Sequence, residues 1–318
     1  MRNLLATGFL AATLALAAQA APAPLTQADA ALQAGEADRA LALLDALPAS
    51  AQSHNLKCRL MYALEHWDAA VSECEKAVDM DGENSGYHLW LGRALGEKAD
   101  RASFLSAYSL AKRVRAEFET AVRLDPRNAD ALADLGEFYT EAPGIVGGGT
   151  DKAEGIAGQL DKINAARADE LRGHIAESKK DYGTAEREFR QAIAGSGHPA
   201  PQWMTLASFY RRRQRWTEME AAVQSGLKAA QRDRHAGVAL VNGASVLSRA
   251  NRNLALAAKM LEDYLAGSSK TEEAPAFVVR TRLARLDAQL GDMAGARREK
   301  AAALELAQEY KPAQDLKF

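Results

Sequence analysis

One arrangement of apolar and polar positions recurs along the chain. An alanine is followed after three residues by a bulky or apolar side chain, then after two more by another small or apolar one. It appears as Ala70, Cys74, Ala77, as Ala185, Phe189, Ala192, and as Ala257, Leu261, Tyr264. Ala296, Lys300 and Ala303 keep the spacing with a weaker middle residue. Steps of four and three place all three positions on one face of an α-helix. A turn-and-entry signal precedes three of them: His66-Trp67-Asp68, Lys180-Asp181-Tyr182 and Gly291-Asp292-Met293. Upstream lies a second pattern that ends in a Leu-small pair and an aromatic. Leu132, Leu135-Gly136, Tyr139 shows it, as does Trp203, Leu206-Ala207, Tyr210. The predicted unit is therefore a hairpin of two antiparallel helices, repeated along the chain.

The first hairpin runs from Thr26 to Ala34 and from Ala37 to Leu47, and a tail begins at Tyr310. Between them the pattern predicts hairpins over 53–80, 85–124, 129–163, 166–194, 200–230, 235–266 and 275–308. Two antiparallel helices approach closely only where side chains are small. Gly92, Gly136, Ala70, Ala153 and Ala185 supply those contacts, while Leu91, Leu135, Phe118 and Phe189 fill the spaces between hairpins. A single hairpin cannot bury its apolar face, so neighbours must stack into one continuous core. The tail is expected to finish the array with a polar end.

These residues resemble the tetratricopeptide (TPR) pattern of Trp, Leu-Gly and Tyr followed by Ala, Phe and a closing Pro. The closing element stands as Leu124-Asp125-Pro126, and in degenerate form as Met80-Asp81-Gly82. The resemblance runs from about Ala21 to Lys311 and implies an all-α, right-handed superhelical solenoid of about seven or eight repeats. Residues 21–318 would form one such domain, with enlarged repeats at about 85–126 and 129–163. The first enlargement contains Ala102 to Tyr108, apolar enough for a helical extension lying against the solenoid. The second contains the turn Ala142-Pro143-Gly144-Ile145-Val146-Gly147-Gly148-Gly149-Thr150. It is either a binding element or a way of packing an irregular turn.

The N-terminus changes the picture of where the protein works. Arg2, the uncharged run Leu4 to Ala18, and Ala18-Gln19-Ala20 read as a signal peptide over residues 1–20, cut after Ala20. The mature chain is then periplasmic or secreted, and no later segment reaches membrane-spanning length. Lys plus Arg total 40 against 42 Asp plus Glu. That balance disfavours nucleic acid or an anionic membrane as the main partner. Cys58 and Cys74 fall on facing helices of one hairpin. Export would permit a disulfide, but buried packing thiols are the preferred expectation.

Candidate chemistry is thin. The Gly-rich turn leads into a helix but lacks the Lys-Ser/Thr of a phosphate loop. Thr150 reads better as an N-cap, with Asp151 complementing the helix dipole. The run Arg211-Arg212-Arg213-Gln214-Arg215 is either a patch for an anion or acidic partner or, more simply, solvated charge that complements a helix C-terminus. The six histidines show no i, i+4 metal spacing, and no nucleophile–base pair can be assembled. No catalytic residue, metal or cofactor is therefore expected.

In TPR superhelices the first helices line the concave face, so the resemblance implies a binding surface there. In this register it comprises Asn55, Arg59, Leu89, Arg93, Glu137, Glu141, Glu170, His174, Met204, Ser208 and Arg211. The Lys, Asn and Arg set of carboxylate-clamp repeats is not matched. The expected function is a non-enzymatic scaffold in the cell envelope that holds a protein or peptide in its groove. The alternative is an accessory subunit that handles a solute for a transport system. A deep closed cavity beside Tyr108 and Ile145 would favour that alternative.

Overall fold

Six of the hairpin turns share one backbone device, and it explains why the helices reverse where they do. Just past the first helix a residue adopts positive φ: Gly35, Glu65, Lys180, Gln214, Asn251 or Gly291. The next N–H then reaches back to a carbonyl five residues earlier, as in His66 to Met61, Asp181 to Ala176 and Arg215 to Tyr210. This Schellman closure satisfies carbonyls that a helix end otherwise leaves open. Entry into helices is marked by side-chain caps. Asn84, Asn128 and Asn164 accept from N–H groups of the following first helices, and Asp181 and Asp292 do so for second helices.

The computed structural model describes residues 23–233, 236–268 and 270–318. The proposed signal peptide lies outside the described residues. Eight hairpins follow one another. They are α1 (Pro24–Ala34) with α2 (Ala37–Asp45), α3 (Ala51–Ala63) with α4 (Trp67–Met80), and α5 (Ser85–Asp100) with α6 (Phe104–Leu124). Then come α7 (Ala129–Glu141) with α8 (Thr150–Leu160), and α9 (Ala165–Ser178) with α10 (Tyr182–Gly195). The last three are α11 (Ala200–Arg212) with α12 (Trp216–Ala230), α13 (Gly237–Arg249) with α14 (Leu254–Ala266), and α15 (Ala276–Leu290) with α16 (Met293–Leu306). A short α17 (Lys311–Gln314) ends the array. Each second helix also packs on the first helix of the next hairpin. The fold is the all-α, TPR-type solenoid that the sequence predicts.

Packing within a hairpin rests on one repeated pair. Gly173 faces the ring of Phe189, and a Cβ there would lie 2.5 Å from the ring. Gly92 faces Phe118 in the same way, and Gly136 meets Ile156 and Leu171. In the second hairpin the corresponding pair is Cys58 and Cys74, joined in a disulfide with Cα atoms 5.1 Å apart. The expectation of two free packing thiols is therefore corrected. A small residue and its partner approach closely at this place in every such hairpin, and that closeness is what a bridge requires.

The two ends of the array meet. Leu32, Ala40 and Leu44 of the first hairpin share one apolar cluster with Phe277 of α15 and with Ala303 and Tyr310. Gly35 lies directly against the backbone of Pro275 and Ala276, where no side chain would fit. Three polar contacts reinforce the closure. Arg59 binds Glu272, the N–H of Gln308 donates to Asp38, and the Tyr310 hydroxyl donates to Glu65. The tail is thus not a polar end: Tyr310 and Ala313 are buried, and Tyr310 stacks edge-on against Phe277. Apolar end faces that would otherwise need polar caps cover each other. The solenoid closes into a ring.

The two enlargements differ in how they pack. The extra residues of the third repeat lengthen α6 to 21 residues. Its first turn does not lie against the solenoid, since Phe104 and Leu105 are 79% and 80% exposed. The Gly-rich turn packs back on its own hairpin. A 3-10 turn spans Gly144–Val146, Val146 is buried, and Gly149 N–H donates to Tyr139 O at 2.8 Å. Gly148 abuts the Ala142 carbonyl closely enough to exclude any side chain. Gly149, not Thr150, is the cap residue of α8, because the glycines Gly147 to Gly149 turn the chain one residue earlier.

Candidate functional site: the inner wall of the ring

First helices contact one another around the ring, and side chains on their inner faces form cross-repeat pairs. Arg93 Nε donates to Asp134 at 2.6 Å, Thr205 Oγ1 to Glu170 at 2.6 Å, and Arg212 Nη2 to Glu177 at 2.6 Å. The expected concave residues divide into three groups on this wall.

Some are packing residues. Leu89 and Met204 are buried in apolar clusters, and Asn55 is 7% exposed with its Nδ2 unpartnered. Met204 fills the space opened by Gly226 of α12 and Gly243 of α13. Leu89 and Asn55 are thus buried, where the expectation had them facing the groove, while Met204 is buried yet still lines a cavity beside Ser208 and Arg211.

Others are committed to neighbours. Arg59 is held by Glu272 and Asp29 and lies over Trp90, as does Arg93. Glu170 is held by Thr205.

The rest present charge or polarity to the lumen. Glu137 and Glu141 on α7 are open to solvent there, and His174 and Ser208 are half-buried. Glu137 is accessible yet surrounded by protein. Partial desolvation inside the ring, with Glu141, Asp134 and Glu170 adding repulsion, pushes its carboxyl up to about 7. His174 packs edge-on against Phe189, and burial holds its pKa below the usual histidine value.

The basic side of the wall is larger than the sequence suggests. Arg211 is joined by Arg249 of α13 and by Arg282 and Arg285 of α15, none of which the sequence reading singles out. Arg211, Arg249 and Arg282 line one cavity together with Ser208, Asn242 and Ser245. Partial desolvation lowers the pKa of half-buried Arg211 and, though its side chain stays accessible, of Arg282, and Arg249 depresses each further. The remaining members of the basic run are engaged elsewhere. Arg213 lies over Tyr182, and Arg215 binds Glu186 and Glu218. Going round the ring, α7 and α9 carry an acidic sector, and α11, α13 and α15 carry a basic one. Among the described residues no cluster of three His, Cys, Asp or Glu side chains is placed to hold a metal. No helix among them is long and apolar enough to cross a membrane.

No family model and no curated protein matches the sequence. Several solved structures are similar to the chain. A thermophilic TPR protein of Thermus thermophilus, TTC0263, is similar at 19% identity and TM-score 0.47, covering 58% of this chain and 96% of that one. The Cut9–Hcn1 hetero-tetramer of the APC/C is similar at 13% identity and TM-score 0.42, covering 92% of this chain. The chain spans about half (54%) of that protein's length. MamA is similar at 16% identity and TM-score 0.35, covering 54% of this chain and 93% of that one.

Proposed function

We propose that the protein is a non-enzymatic scaffold of the cell envelope whose inner wall holds a segment of a protein partner. The observation that carries this is the division of charge in the lumen. Like charges gathered on one wall raise the energy of the empty ring, and a segment of complementary charge relieves it. Desolvation inside the ring, with acidic neighbours added at Glu137 and arginine neighbours added at Arg211 and Arg282, has that form. A segment that is basic at one end and acidic at the other fits the two sectors. Export is supported by the charge and apolar pattern of residues 1–20, and the Cys58–Cys74 bridge suits an oxidising compartment.

Crosslinking in the native envelope from a photoreactive group at position 137 tests this. The expected result is one recurrent protein, lost when Arg249→Glu is introduced alongside. Capture of the same set from a probe at Arg187, exposed on the second helix α10, would defeat the proposal.

The solute-handling alternative does not gain from the place named for it, since Ile145 is 68% exposed and Tyr108 39%. Its support comes instead from the arginine-lined cavity.

A further inference from the structure

We propose that Arg211, Arg249 and Arg282, with Ser208, Asn242 and Ser245, form a binding site for a compact dianionic oxyanion of the phosphate or sulfate type.

Three helices of three successive hairpins each contribute one arginine to a single cavity of about 240 Å³. That space accommodates a tetrahedral oxyanion with a small substituent, and not a helix or a folded domain. Its walls are almost wholly polar. Met204 and Val246 form only its floor, from the buried core.

The arginines lack the partners that the other inner-wall charges have. Arg93, Arg59 and Arg212 each bind a carboxylate within 3 Å. Among the described residues no carboxylate pairs with Arg211, Arg249 or Arg282. The Nε of Arg211 is buried with no acceptor. Arg282 has a long contact of 3.4 Å to Ser245 Oγ, and Glu65, the acid within its electrostatic reach, is engaged by the Tyr310 hydroxyl. An orphaned buried donor on one of three mutually repelling cations is costly in the empty protein. One dianion offers acceptors to all three guanidinium forks and cancels most of their charge. The hydroxyls of Ser208 and Ser245 and the Asn242 amide can complete its shell.

The site does not depend on a protein partner occupying the lumen, and it differs in kind from a peptide groove. Acidic side chains of a partner are the competing occupant, and the test separates the two.

Calorimetric titration of the full mature chain with inorganic phosphate, and separately with sulfate, at constant ionic strength decides the matter. One equivalent is expected to bind, with chloride inert. The comparison of phosphate with sulfate identifies which dianion the site prefers. Arg249→Gln should weaken binding at least tenfold, and Arg232→Gln, exposed just past the end of a second helix, should not change it. Arg249→Gln should melt no lower than the parent in anion-free buffer, because it removes repulsion; this separates lost binding from lost folding. Absence of binding by either dianion up to about 10 mM, equal binding by both variants, or Arg249-dependent capture of an acidic peptide without dianion binding would each overturn the assignment.

Discussion

Arg59 holds both carboxylate oxygens of Glu272, with Nε and Nη2 each donating at 2.7 Å across 213 residues of chain. The pair is the polar latch of the ring. Both side chains are largely withdrawn from solvent, at 16% and 17% exposure. Removing either leaves the other charge poorly compensated, which costs more than the pair itself contributes. Arg59→Met should therefore lower stability by about 2 kcal/mol. Hydrogen exchange should show where: the amides of α1, α2 and the segment before α15 should lose protection first. Uniform loss throughout the chain would mean that the ends do not open as a unit.

The Cys58–Cys74 bridge occupies the place that Gly173 and Phe189 occupy in the fifth hairpin, with the same separation in sequence. Both pairs do one job, which is to fix the distance between the helices of a hairpin. A loop of this length gives about 3 kcal/mol of stabilisation when bridged. Cys58→Ala with Cys74→Ala should forfeit about 2–4 kcal/mol in urea melts. Cys58→Gly with Cys74→Phe should recover part of it, because the ring then fills the gap as Phe189 does. The two changes should be strongly non-additive, each alone being worse than the pair.

That equivalence also shows what the sequence could reveal. Ala185, Phe189 and Ala192 are all buried where their spacing places them, because helical periodicity is local and every hairpin repeats it. Ring closure is different. Nothing in the period of a repeat states its pitch, and Arg59 and Glu272 carry no mark that they will meet. The basic sector was hidden for a third reason. Arg249 and Arg282 lie on helices without the Trp or Tyr landmarks of α11, although Gly243-Ala244 and Leu283-Ala284 carry the small-residue signal that sets their register. Glu65, Lys180 and Gln214 take positive φ where glycine is the usual sign, so those turns were legible only from the polar entry that follows them.

Glu137 predicts a pH dependence opposite to the common one for carboxylates. Its folded pKa is raised to about 7 from an ordinary value of 4.5. Between those values the folded state binds more protons than the unfolded one, so this group destabilises increasingly as pH rises from about 4.5 to about 7. Full relief is present below that window, and the full penalty above it. Glu137→Gln should raise stability at pH 8 and leave it little changed at pH 4.5, as read from paired denaturant melts. His174 faces the same sector and acts in the other direction. Its lowered pKa means that stability declines as pH falls below the usual histidine value. The difference between parent and Glu137→Gln isolates the carboxylate from that opposing slope.

Two glycine-to-alanine changes should have opposite signs, and the contrast tests the packing register. In a helix interior alanine is favoured over glycine by about 0.8–1 kcal/mol. Gly155 in α8 faces open space, so Gly155→Ala should gain close to that amount. Gly173 in α9 faces Phe189, whose ring a new methyl group would meet at 2.5 Å. The ring is 1% exposed and is held between His174 and Phe209, at centroid distances of 5.1 and 5.5 Å, so it has little room to retreat. Overpacking of this kind costs about 1–3 kcal/mol. It should outweigh the propensity gain, leaving Gly173→Ala less stable than the parent. Ala185→Leu, at a fully buried contact on the facing helix, should lose about 1–3 kcal/mol for the same reason. Chemical denaturation of the three variants measures the signs directly. A gain at Gly173 would mean that α9 and α10 are not held together by the close approach of these two residues.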